Sequence, residues 1–428
     1  MDEIEGFELK LLADYESGFR PLFVRNPTTT IYTVPRCIRE VKPEAYNYRY
    51  QYFGITLDEL YPRPELEDRH LLSHMHSILP QNRSKTFKDY LFAMNEVRDQ
   101  IRECYLVETK VDFKCLIALV LSCCHILDVL LLFFKGELTP QVDQLCSTGL
   151  QDLCMDMLLV QSQVPFFALQ KIYCILDLDH SLYPSLVELC LIFFKEFLDF
   201  NKPVDPMTSE STHHLLHLVH YHFLTVETRS YIPSRPIRRQ PLIIHPIPSV
   251  RRLLDAGIQF KKNQTIGLSN IIFEGDVLEI PYLHIDNHTE ILLRNMIAWE
   301  QCHPRVGAYF TSYAIFMDFI INTAEDIEIL NRHGILEQTL GSEEQVASIF
   351  NGLSTNVFYN GDENDFLPIV CRKLNDYRPN PINIVRANLI NNYFGNPWTA
   401  IPVATTLFVV ILTITQTIFF VYVYFHPR

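Results

Sequence analysis

Five histidines crowd one short stretch, His213, His214, His217, His220 and His222. On a helix His213 and His217 stand at i and i+4, and His217 and His220 at i and i+3, so three imidazoles can share a face and hold zinc. No glutamate completes an H-E-x-x-H pattern and no cysteine lies close by to close a structural site. The spacing therefore predicts an amphipathic helix that uses histidine as a half-polar residue beside Leu215, Leu216, Leu218 and Val219. Cys123, Cys124 and His125 suggest a thiol–imidazole nucleophile, but neighbouring residues on a helix point in different directions, so buried core is expected. Glu325, Asp326 and Glu328, with Arg332 and His333, have the residue types for acid–base work. With Ile327, Ile329 and Leu330 turned inward, they read as a solvated helix face. Among Asp286, Glu290, Arg294 and Glu300, the i, i+4 pair Glu290–Arg294 predicts a structural ion pair of about 0.2–0.5 kcal/mol. The sequence has no G-x-S-x-G elbow, phosphate loop or dinucleotide fingerprint. No catalytic, cofactor-binding or metal-ligating residue is assigned from it.

The elements that would carry these residues read as mainly α. Apolar residues recur at helical spacing from Arg69 to Cys104, predicting two amphipathic helices. Asp112 to Phe134 is apolar enough to cross a bilayer. Its Asp128 would cost about 2.5–3.5 kcal/mol at mid-membrane, so a buried core helix is predicted. Further helices are expected in Leu150–Tyr173, begun or kinked at Pro165, and in Leu182–Phe200 and Thr212–Leu224. Arg229 to Arg252 holds six arginines and five prolines and reads as a linker or surface loop. As a basic patch it could also touch anionic headgroups, at about 1 kcal/mol per arginine, or an acidic partner. Ile271 to Ile280 changes period around Gly275 and Asp276 and predicts a small β-hairpin insert. Helices follow over Thr289–Glu300, Ser312–His333 and Ser342–Gly352, the last opened by a capping box at Ser342 and Gln345.

The run Ile401 to Phe425 has no charged residue, and only His426, Pro427 and Arg428 follow it. It is long enough to span a hydrocarbon core, which predicts one C-terminal transmembrane helix over residues 398–425, with a short tail at 426–428. Residues 1–30 form a variable N-terminal segment and 31–397 one large helical globular domain. Thr405, Thr406, Thr413, Thr415, Gln416 and Thr417 offer groups able to hydrogen-bond a neighbouring helix, so the span can also self-associate. The acidic start lacks a secretory signal. Insertion after translation, with the large domain cytoplasmic at the plasma membrane or an endomembrane, is the expectation. The sequons at Asn82, Asn263 and Asn287 argue against it, since only a lumenal domain could use them. The eleven scattered cysteines are expected to be mostly buried and reduced. With 36 basic against 50 acidic residues the formal charge is -14, which excludes nucleic acid as the expected partner.

These features resemble the plant membrane proteins of domain-of-unknown-function family 247. The resemblance runs from Ile31 to Phe425 and rests on IYTVPRCIREVKPEAY, the apolar helix around Cys124–Asp128, QSQVPFFALQKIY, LEIPYLHIDNHTEILLRNMIAWEQC, YAIFMDFIINTAEDIEIL, FNGL and NPWTAI. Where the family often shows Gly-Pro-Tyr-His-His-Gly, this chain has Gly54 to Leu57. Ser122–Cys123 and Gln161–Ser162 replace the family's Asp-Gly and Glu-Asn. The resemblance implies a protein without assigned chemistry, and the link of some grass members to pollen self-incompatibility implies recognition. The expected function is thus a membrane-anchored recognition or interaction protein, not an enzyme, with a protein partner. A membrane-tethered metal-dependent hydrolase or transferase using His213–His222 is the alternative.

Overall fold

The computed structural model describes residues 28–55, 68–106, 111–138, 149–179, 181–198, 207–224, 244–263, 267–359, 361, 365–378 and 397–425. Residues 1–27, most of the arginine–proline stretch, Asn396 and the tail 426–428 lie outside the described residues. In chain order the helices are α1 (Arg36–Arg39), α2 (Asp68–Ile78), α3 (Phe87–Glu96), α4 (Arg98–Cys104), α5 (Phe113–Lys135), α6 (Gly149–Asp156), α7 (Phe166–Ile175), α8 (Leu186–Phe197), α9 (Leu215–His222) and α10 (Val250–Asp255). Strands β1 (Gln259–Asn263), β2 (Ile272–Glu274), β3 (Val277–Pro281) and β4 (Leu283–Ile285) precede α11 (Thr289–Cys302) and α12 (Tyr309–Ile320). Then come α13 (Ala324–Arg332), β5 (Leu336–Gln338), α14 (Glu343–Leu353), α15 (Phe366–Asp376) and α16 (Pro397–Phe425). The chain is mainly helical and gathers into two compact units, each from three stretches.

The first unit takes in Met1–Arg238, Asn287–Phe310 and Thr355–Asn360. Its axis is α5, capped by the Asp112 carboxylate on Cys115 N at 2.9 Å. The helix stops at Gly136, whose left-handed φ of 69° favours glycine. Helices α2, α3, α7 and α8 pack around α5 and bury Leu119 through Leu131, each fully buried leucine contributing about 1.5–3 kcal/mol. Asp128 survives inside because α2 supplies His74 Nδ1 at 2.8 Å and the Ser77 hydroxyl at 2.6 Å. A second carboxylate, Asp156 at the end of α6, accepts the backbone N–H groups of Arg49, Tyr50 and Gln51 at 2.7–3.1 Å. Burial pushes that carboxyl up to about 6, outweighing the three donors that pull it down.

Segment Gln161–Gln163 ties distant parts of this unit together. Gln161 O accepts from the Tyr52 hydroxyl at 2.6 Å, Ser162 Oγ from Phe53 N at 2.7 Å, and Gln163 O from the Tyr105 hydroxyl at 3.1 Å. Gly54, at φ 84°, lies against the Gln163 carbonyl so closely that no Cβ fits. Ser122 Oγ accepts from Gly54 N at 3.3 Å. Ser122 and Ser162 thus both bind the Phe53–Gly54 backbone. From α11, Asn295 accepts from Val160 N and donates to Ala45 O, at 3.0 and 2.8 Å.

The second unit comprises Arg239–Asp286, Thr311–Ser354 and Gly361–Arg428. Strands β2 and β3 form the expected antiparallel hairpin, turning at Gly275 with φ 63°. It is part of a larger arrangement, because β3 also pairs in parallel with β1, Gln259 opposite Val277 through Asn263 opposite Pro281. β4 pairs in parallel with β5 in a second small sheet. The sequence of β1, QFKKN, hides its role, since only Phe260 and Asn263 turn inward. The single helix expected over Ser312–His333 is two, α12 and α13, broken where Thr323 and Asp326 form a capping box. The C-terminal α16 is one long apolar helix whose described side chains are exposed.

Candidate functional site

The histidine-rich stretch folds as α9 in the first unit. His214 caps it: its Nδ1 accepts the His217 N–H at 3.1 Å. His217 Nδ1 in turn accepts the His213 N–H at 3.1 Å. His214 Nε2 donates to Thr30 O at 3.1 Å, the same carbonyl that Trp299 Nε1 reaches at 3.2 Å. His220 Nε2 meets Glu300 Oε1 at 2.8 Å, and that oxygen also accepts from Phe310 N at 2.9 Å. His222 Nδ1 donates to Leu218 O. The Tyr32 hydroxyl donates to Thr29 O and lies 2.8 Å from His303 Nδ1.

Trp299 is the hub. The rings of His214, His217 and His220 lie 5.1 Å from its ring, and His303 stacks at 5.7 Å and 3°. His213 stacks on His217 at 4.5 Å. His214, His217, His220 and His222 are all buried, which corrects the half-polar amphipathic face expected from the sequence. A buried imidazole is tolerable when it is hydrogen-bonded, and here backbone groups or Glu300 bond both nitrogens of His214 and one nitrogen each of His217, His220 and His222. Burial, followed by the neighbouring imidazoles, holds His214 and His217 well below the usual histidine range, and burial lowers His213. The nitrogens do not converge: two lone pairs are spent on backbone N–H groups and a third ring faces a carboxylate. Among the described residues, no group of three or more histidine, cysteine or carboxylate side chains is arranged to hold a metal ion.

The other candidates are likewise drawn into the scaffold. Cys123 and Cys124 are buried in α5, and burial pushes the Cys124 thiol up to about 12, far from a reactive thiolate. His125 meets neither thiol usefully but stacks on His74 at 3.9 Å and 10°. Asp326 is not on a solvated face: it is 1% exposed. It gathers Arg251 N, Asn322 N and Thr323 N at 2.9–3.1 Å, while Glu325 and Glu328 remain exposed. The Thr323-x-x-Asp326 spacing was the available signal for that role. Glu290 and Arg294 pair at 2.8 Å, and Glu300 belongs with His220. Sequence spacing offered no route to His74, Ser77, Tyr32, Asp156 or His303, whose partners are supplied by distant parts of the chain.

Two sequons are occupied by internal bonds. Asn82 Nδ2 donates to Ile175 O at 2.9 Å and Asn263 Nδ2 to Asn270 O at 3.0 Å, whereas Asn287 is exposed. In α16, Thr405, Thr406, Thr413, Thr415 and Thr417 each donate to the carbonyl four residues back at 2.8 Å. Those hydroxyls are therefore already satisfied, and Gln416 is left as the polar side chain best able to reach another helix.

A mostly helical chain with small sheets, a C-terminal apolar helix and a histidine cluster spent on its own scaffold is the class defined here. The chain belongs to the plant family of unknown function DUF247, whose pattern matches residues 31–412. It is similar to UPF0481 protein At3g47200 of Arabidopsis thaliana, 26% identical over 414 residues, covering 90% of this chain and 85% of that one. Putative UPF0481 protein At3g02645 of the same plant is 28% identical over 165 residues, 38% of this chain and 31% of that one. No solved structure matches.

Proposed function

We propose that this chain is a membrane-anchored recognition or protein-interaction module rather than an enzyme. One observation carries the reading: His214, His217, His220 and Asp326 are committed to buried internal bonds, while α16 leaves its described apolar side chains uncovered. An apolar helix of 29 residues is long enough to cross a hydrocarbon core. Asp128 supports a single span, since α5 has its polar side chain satisfied inside the protein. The engaged amides of Asn82 and Asn263 fit a cytoplasmic domain at the plasma membrane or an endomembrane, and Gln416 gives the span a means of self-association. Recognition in self-incompatibility or signalling is the setting that the family resemblance suggests.

Proximity labelling from the intact membrane protein tests the proposal. Enrichment of specific cytoplasmic proteins is expected; labelling indistinguishable from bulk membrane would overturn recognition. Protease shielding of the large domain in sealed vesicles, or sugar on Asn287, would overturn the orientation. Stoichiometric zinc that disappears with His217→Ala and His220→Ala would instead establish the metal-dependent alternative.

A further inference from the structure

Helix N-caps usually use serine, threonine, aspartate or asparagine, whose acceptors persist near neutral pH. Helix α9 uses an imidazole lone pair instead, His214 Nδ1, and the next lone pair, His217 Nδ1, holds His213 N. Both bonds exist only while the rings are neutral, because a protonated imidazole is a donor at both nitrogens. The capping ring also fastens Thr30, where Trp299 binds the same carbonyl. We propose that this cluster is a proton-operated latch: acidification strips His214 and His217 of their acceptor lone pairs, uncaps α9 and loosens the packing of its first turn around Trp299.

The surroundings favour release over accommodation of charge. Among the described residues, the titratable groups facing the two rings are the imidazoles of His213, His220 and His303. Around these stand Glu300, bonded to His220 and Phe310 N, Tyr32 on His303, and Tyr309 at 6.4 Å from His220. On α8, which packs against α9, Glu188, Lys195 and Glu196 are exposed and Cys190 is a buried thiol. Glu300 is thus the carboxylate bonded within the cluster, and His220 already takes it. A proton on His214 or His217 would face another imidazole at 4.5–6.3 Å. Desolvation, the largest cause, lowers both rings from their ordinary 6.5 in the closed form, so the open form binds more protons as pH falls. With two protons taken up on opening, the open-to-closed ratio rises about a hundredfold per pH unit.

Trp299 is a built-in reporter, and Trp398 is the chain's other tryptophan. The experiment is a titration of full-length Trp398→Phe protein in detergent micelles from about pH 7.5 to about pH 4.5, following indole emission and far-ultraviolet dichroism. A steep emission change below the ordinary histidine range, of about two-proton slope and with most helical signal kept, is expected. His214→Asn, which keeps a capping acceptor that does not titrate, should reduce the slope to about one proton and move the midpoint to lower pH. An unchanged slope and midpoint would overturn the latch. Imidazole nitrogen spectra of the parent chain decide the matter even if that variant does not fold. His214 and His217 must stay neutral Nε2–H tautomers until emission changes, and independent titration of either ring in its ordinary range defeats the proposal.

Discussion

Helices α5 and α16 pass the same test of length and apolar composition for crossing a membrane, yet α5 is buried within the first unit and α16 has its described side chains uncovered. They differ in how their polar side chains are satisfied. Asp128 of α5 depends on His74 and Ser77 of another helix, a solution available only where a second helix packs. The threonines of α16 satisfy themselves on their own carbonyls four residues back. Hydropathy is nearly blind to this distinction, because one carboxylate hardly alters an average over a long window. A better criterion for a span is whether each polar side chain within it can be satisfied without leaving the helix.

Removing the α5 solution should have the largest effect. Asp128→Ala strands His74 in the core and is expected to cost about 3–5 kcal/mol, read as a lowered denaturation midpoint of the first unit. Matched truncations come next: Leu127→Ala should cost about 2–5 kcal/mol, while Leu412→Ala should leave the same midpoint in place. Equal costs would erase the contrast between the helices. Acid provides a third, smaller separation. The folded state holds His213, His214 and His217 low, so their contribution is present above the ordinary histidine range and falls away as pH drops through 6.5. Asp156 acts in the opposite sense: raised from 3.8 to about 6, it favours folding at low pH and loses that contribution as pH rises. Three imidazoles against the raised carboxyls of Asp156 and Asp318 predict net loss of thermal stability on mild acidification, with the response of α16 to carbonate extraction unchanged. The smallest effect concerns the proposed span: Gln416→Leu should weaken its proposed self-association by about 0.6 kcal/mol in a membrane dimerisation assay. Thr415→Val should leave it unaltered, as that hydroxyl is spent on Ile411 O.

What could be read from the residues followed from local rules. The apolar core helix, the β2–β3 hairpin and the C-terminal helix declare themselves through period, turn residues and composition. β1 and the β4–β5 pair did not, since parallel pairing joins strands that are remote or weakly patterned. The break between α12 and α13 was legible in Thr323-x-x-Asp326 but was masked by apolar periodicity on either side. The histidine stretch was visible at once, and its environment was not. Whether His214 faces water or Trp299 depends on a tryptophan 85 positions away and a carbonyl 184 positions away. Aspartates show the same limit: Asp156 and Asp326 look like surface charge in sequence, and each becomes the buried acceptor for three backbone N–H groups.

The position of α11 has a consequence for how the protein is made. Asn295 closes on Ala45 across 250 positions, and Trp299 on Thr30 across 269. The helices around α5 leave the ribosome early and can collapse locally, but the polar closure of the first unit waits until α11 has been synthesised. During that interval α5 is a long apolar helix in an unfinished domain. Chaperone dependence of the first unit should therefore fall once a stalled nascent chain has exposed α11 through residue 302.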